Sequence, residues 1–173
     1  MMESPVENAP RRILVLLRHA KSDWSGGEPD ERRPLAERGR RQAPQAGRWL
    51  AENLDTVDLA VVSPAERARI TWELASAELD DPPTARIDER IYAASVDELV
   101  EVVHELPDDV RTAVLVGHNP GIEELVGTLT GTWVQMPTSA VAVIGVAGTW
   151  SDAGASTEQL LTSGRPPSAL TSA

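Results

Sequence analysis

The chain has 173 residues, enough for one domain with a sizeable core, and no cysteine, which excludes disulfides, thiolate metal sites and a thiol nucleophile. A formal net charge of −11 argues against nucleic acid or anionic membrane as a partner, because both need clustered Lys and Arg. Three histidines are too few for a His-rich zinc site, and no apolar run is long enough to span a bilayer.

Residues 1–10 are polar and acidic, with no apolar core of a secretory signal, and are expected to form a flexible tail on a cytoplasmic, monomeric protein. Residues 12–17 form a continuous apolar run led by β-formers, which predicts a strand buried on both faces. Residues 19–34, rich in Gly, Asp, Ser and Pro, predict a long loop, and loops of that length inside a domain are usually functional. Small and apolar residues at helical spacing over 36–54 predict a helix, with Pro44 distorting its first turn so that the regular part runs over 44–53. Residues 57–62 predict a strand, and Ser63-Pro64 predicts the start of a helix to about Glu78, with Ser63 as cap. A short strand follows over 84–87. An amphipathic helix is marked by Val96, Leu99, Val100, Val103 and Leu106. Residues 113–117 predict a strand, Asn119-Pro120 a second cap-plus-proline helix start, and residues 140–146 a last strand. The segment 151–173 reads as polar and Gly/Ser/Pro-rich. Strands alternating with helices predict a three-layer α/β/α sandwich on a mostly parallel sheet, as one domain over 1–173.

Three predicted strand ends carry polar residues: Arg18-His19, Ser63 through Arg67, and His118-Asn119. In open α/β sheets ligands collect at the carboxyl ends of the strands. Arg18, Arg67 and His118 converging on His19, with helix N-termini nearby, form a pocket suited to a dianionic phosphate. The chain has one lysine, Lys21, so arginine supplies nearly all the positive charge, and its planar fork suits phosphate oxygens. His104, within an amphipathic helix, reads as a boundary residue, and Trp24, in the long loop, as part of the pocket rim.

The segment Arg18-His19-Ala20-Lys21-Ser22-Asp23-Trp24 resembles the signature of the histidine phosphatase superfamily, and the short SixA-type phosphohistidine phosphatases in particular. Arg33-Pro34-Leu35 with Glu37-Arg38-Gly39, Ser63-Pro64-Ala65-Glu66-Arg67-Ala68 with Thr71, Gly117-His118-Asn119-Pro120-Gly121 and Met136-Pro137-Thr138 are similar to further motifs of that branch, in the same order. The resemblance implies a phosphoglycerate mutase-like fold and a metal-independent, cofactor-free phosphatase. His19 is then the nucleophile, Arg18 and Arg67 hold the phosphoryl oxygens, and His118, as imidazolium, donates to the same group. Asp30 and Glu89 are alternative general acids. Arg33 and Ser22 are candidate phosphate contacts. The implied substrate is a phosphohistidine-bearing protein; a small phosphomonoester, or a non-catalytic phosphate-binding role, are the alternatives.

Overall fold

The computed structural model describes residues 11–172, so the expected tail at 1–10 lies outside the described residues. Its centre is a seven-stranded sheet in the order β3-β2-β4-β1-β5-β6-β7. The strands are β1 (Arg12–Arg18), β2 (Leu59–Val62), β3 (Ala85–Ile87), β4 (Thr112–Gly117), β5 (Val141–Val146), β6 (Gln159–Gly164) and β7 (Thr171–Ser172).

Alternate residues of β1 enter opposite faces, as strand geometry requires. Leu14 and Leu16 join Val61, Leu115, Ala142 and Ile144 in one core, packed against α3 (Val96–His104) and α4 (Gly121–Thr130). Val15 and Leu17 join Val62, Val114, Val116 and Val143 in the other, packed against α1 (Glu37–Asn53) and α2 (Glu66–Ser76). Both faces of the central strands are covered, which is why β1 and β4 read as unbroken apolar runs.

The α/β/α sandwich agrees with the sequence, but only half of the sheet is parallel. The pairings β3/β2, β2/β4 and β4/β1 are parallel, while β1/β5, β5/β6 and β6/β7 are antiparallel. The chain leaving α4 returns to the carboxyl end of β1, where Ser139 N–H bonds to the carbonyls of Arg18 and His19, at 3.1 and 3.0 Å. It therefore enters β5 from the end at which β1 stops. The terminal segment, read as polar apart from the short apolar stretch Leu160-Leu161, supplies β6 and β7.

Helix starts also differ from expectation: α4 begins at Gly121, with Pro120 rather than Asn119 at its cap position and no side-chain cap. α1 is regular from Glu37, with Pro44 inside it. The hydrogen bond lost at Pro44 is outweighed by packing of the face bearing Ala43, Ala46, Gly47 and Leu50, all buried. A Cβ at Gly47 would lie 2.1 Å from the Ala75 carbonyl oxygen, so glycine there lets α1 and α2 approach closely. α2 begins at Glu66, with Ala65 at the cap position and no side-chain cap, because the Ser63 hydroxyl is engaged elsewhere. α3 starts on a reciprocal capping box between Ser95 and Glu98.

Candidate active site

Arg18, His19, Lys21, Ser22, Asp30, Arg33, Arg67 and His118 come together around one cleft of about 260 Å³, with Trp24, Asn119 and Thr138 completing its lining. Four of these side chains are cationic and one, Asp30, is acidic, so the cleft is locally positive on a strongly acidic chain.

β1 delivers His19 at its end. The backbone there is fixed from both sides: His19 N–H bonds to the Gly117 carbonyl at 3.0 Å, and Arg18 N–H to the Ala140 carbonyl at 3.1 Å. Ala20 N–H donates to Thr71 Oγ1 at 2.9 Å, and Thr71 Oγ1 donates to the Arg67 carbonyl at 2.6 Å, so α2 holds the residue after His19. α1 holds the next one. Lys21 N–H bonds to Gln42 Oε1, and the Lys21 carbonyl accepts from Ala36 N–H and sits where a Cβ on Gly39 would lie, 2.1 Å away. The Gly39 of the sequence motif is thus a close-approach position under the loop.

His19 is 7% exposed and its Nδ1 lies 2.7 Å from the Ala20 carbonyl oxygen. A carbonyl only accepts, so Nδ1 carries the proton and Nε2 of the neutral ring keeps its lone pair. The pKa of His19 is lowered to about 3. Burial is the largest cause; the Ala20 bond opposes it, and His118, Arg67 and Arg18 push the same way as burial. The ring centroids of His19 and His118 are 5.0 Å apart.

His118 bonds through Nε2 to Ser63 Oγ at 2.7 Å, and Ser63 Oγ also accepts from Ala65 N–H at 3.2 Å. Burial first, then Arg67, lowers the His118 pKa to about 4, with Asp30 opposing. The expected imidazolium at 118 is therefore corrected to a neutral ring at neutral pH. Arg18 is anchored by a bond from one terminal nitrogen to the Met136 carbonyl at 3.0 Å. Arg67, 6% exposed, reaches the Asp30 carbonyl at 2.7 Å and Asp30 Oδ2 at 3.1 Å. Arg18 Nε, Arg67 Nε and His118 Nδ1 are buried with no hydrogen-bond partner.

Arg33 is held in the loop by four contacts: Nε to Asp30 Oδ1 at 3.1 Å, one terminal nitrogen to Ser22 Oγ at 2.8 Å and to the Asp23 carbonyl at 3.3 Å, and its guanidinium 3.4 Å over the Trp24 ring. Asp30 accepts from Tyr92 OH at 2.5 Å as well as from both arginines. The Tyr92 bond is the largest cause holding its carboxyl well below the usual carboxylate range; Arg33 and Arg67 add to it. Glu89 is exposed, in the turn Glu89–Ile91, and is not among the residues lining the cleft. His104, the third histidine, bonds to the Ala153 carbonyl far from this cleft in the fold, as a boundary residue does.

Sequence reasoning missed Tyr92 and Glu123. Glu123 Oε1 accepts from Asn119 Nδ2 at 2.9 Å and from Met136 N–H at 2.8 Å, fixing the Met136 carbonyl on which Arg18 rests. Its position four residues after Asn119, in the first turn of α4, was the available signal. Tyr92, the one tyrosine of the chain, carried none. Among the described residues no helix is long and apolar enough to cross a membrane.

An α/β sandwich with a neutral, lone-pair-bearing imidazole and paired guanidiniums at its strand ends defines a class of phosphate-handling proteins. Residues 14–112 match the family model "Histidine phosphatase superfamily (branch 1)", and the chain belongs to that superfamily. It is 41% identical to the uncharacterized protein Rv1276c of Mycobacterium tuberculosis, over 79% of this chain and 90% of that protein. Among solved structures it is similar to "Putative Phosphohistidine Phosphatase SixA" from Nakamurella multipartitia, with a TM-score of 0.83 at 28% identity, covering 92% of this chain and 99% of that one. A SixA structure from Agrobacterium tumefaciens gives 0.72 at 27% identity, covering 78% of this chain and 91% of that one.

Proposed function

We propose that the protein is a phosphatase that hydrolyses phosphohistidine on proteins through a phosphohistidine of its own. His19 Nε2 attacks phosphorus, a new N–P bond forms, and the P–N bond to the substrate imidazole breaks. Water then attacks the phosphorus on His19, releasing inorganic phosphate and restoring the lone pair on Nε2. Arg18 and Arg67 stabilise charge on the transferring oxygens, where most of the catalytic demand of phosphoryl transfer lies. The bond between Ser63 Oγ and His118 Nε2 holds the His118 ring at the wall of the cleft, beside the phosphoryl group.

One observation carries the choice of substrate. Asp30, the carboxylate at the cleft, is tied down by Tyr92, Arg33 and Arg67 and has no proton to give, and Glu89 does not line the cleft. An alkoxide leaving group needs a proton from an acid. A phosphorylated imidazole that carries a proton on its other ring nitrogen releases neutral imidazole, a far weaker base than an alkoxide, and needs no proton from the enzyme. The names of the two SixA relatives support the same reading.

The test compares a phosphohistidine peptide with sugar phosphates on the purified protein, and repeats both with Asp30→Asn. The proposal predicts a preference for the peptide that Asp30→Asn leaves within about threefold, well under the 10²–10⁴-fold worth of a true general acid. Faster turnover of a phosphomonoester, lost in Asp30→Asn, contradicts it.

A further inference from the structure

A second groove, of about 330 Å³, lies between α1 and the segment that follows β6. The charged side chains lining it are all cationic: Arg38, Arg41 and Arg165, with Gln42 and Gln45 among them. Arg41 has a solvent-exposed ion pair with Glu37 at 3.6 Å. Arg38 and Arg165 have no carboxylate within ion-pairing distance among the described residues. On a chain of net charge −11, three guanidiniums facing one carboxylate reverse the local field.

Two contacts join this groove to the catalytic cleft. Arg165 reaches the carbonyl of Thr138 at 3.5 Å, and Thr138 lines the cleft. Gln42 accepts from the backbone N–H of Lys21, which also lines the cleft. A ligand with its phosphoryl group at His19 can therefore extend past Thr138 and Lys21 onto the arginines without leaving the surface. The phosphoryl chemistry itself uses none of the three.

We propose that this groove docks acidic side chains that flank the phosphorylated residue of the substrate protein. The proposal rests on the protein-substrate reading above. The exposure of Arg38 and Arg41 favours a polypeptide over a small anion: each exposed pair contributes little alone, whereas an acidic segment engages several guanidiniums at once. The wall formed by Pro166 and Pro167 offers no backbone N–H, which leaves recognition of an anion to the guanidiniums and amides.

The test uses Arg38→Glu/Arg41→Glu; the carboxylate at 38 falls in the first turn of α1, where negative charge is favourable, and the like-charge pair created between positions 37 and 41 is solvent-exposed and costs little. Turnover of phosphoramidate should match wild type. Wild type should process a phosphohistidine peptide with flanking glutamates about tenfold better in kcat/KM than one with neutral flanks, through KM, and added salt should erode the difference. The double variant should lose it. An unphosphorylated acidic peptide, followed by fluorescence anisotropy, should bind wild type and not the variant. Equal handling of acidic and neutral peptides by wild type, or a preference surviving in the variant, overturns the groove and leaves the phosphatase reading intact. Anisotropy binding with no phosphohistidine turnover overturns the substrate reading and leaves the groove as an acidic-peptide site.

Discussion

Thr71 and His19 hold opposite ends of Ala20. The Thr71 hydroxyl accepts the Ala20 N–H at 2.9 Å, and the Ala20 carbonyl accepts from His19 Nδ1 at 2.7 Å. A helix that packs against one face of the sheet thereby sets which nitrogen of His19 keeps its lone pair.

Removing that hydroxyl tests the link. Thr71→Val leaves the Ala20 N–H buried and unpaired, a cost of about 1–3 kcal/mol. Thermal denaturation should show the loss as a lower Tm, and kcat should fall with little change in KM because His19 loses its alignment. Thr71→Ser should recover most of both.

The tautomer is directly observable. In nitrogen NMR of labelled protein, the His19 ring should be neutral with its proton on Nδ1 at pH 7, and should begin to titrate only as pH approaches about 3. A ring that titrates near the ordinary value of about 6.5 contradicts the geometry.

Stability should carry the same signature. Both His19 and His118 have folded pKa values, about 3 and about 4, below the unfolded value of 6.5. Between 6.5 and 4 the unfolded chain takes up protons that the folded chain refuses, so stability is full above 6.5 and falls with decreasing pH. Each histidine contributes a slope of up to about 1.4 kcal/mol per pH unit. Urea denaturation of His118→Gln across that range should show a shallower fall than wild type; an unchanged slope contradicts the assignment.

Glu123 acts through others. Its carboxylate fixes Asn119 and the Met136 backbone, and Met136 supports Arg18. Glu123→Ala should lower kcat/KM by about tenfold, the scale of one lost charged hydrogen bond, while His19 remains phosphorylatable. Glu123→Gln, which keeps an acceptor oxygen, should retain more activity. Equal losses in the two variants contradict the positioning role.

The parts legible in the sequence are those decided locally. β1 and β4 announce themselves because both their faces are buried, and His19 and His118 follow those strands directly. What tertiary contact decides was hidden. Ser63 looks like a helix cap, yet its hydroxyl serves His118, and only the fold brings residues 63 and 118 together. Pro44 looks like a helix breaker, yet the buried face around it carries α1 through. β6 escaped notice because a register shift opposite Val143 and Ile144 breaks its alternation, leaving Leu160 and Ser163 buried three residues apart. The ionised state of Asp30 depends on Tyr92, 62 residues away in the chain.

The proposed mechanism requires a phosphoryl group on His19. Brief incubation of wild type with radiolabelled phosphoramidate, followed by alkaline quench and peptide mapping, measures this most directly. Acid-labile, alkali-stable phosphate should appear on the peptide containing His19 and be absent from His19→Ala, which should also lack turnover. Label on another residue, or a His19→Ala protein that hydrolyses the substrate at the wild-type rate, contradicts it.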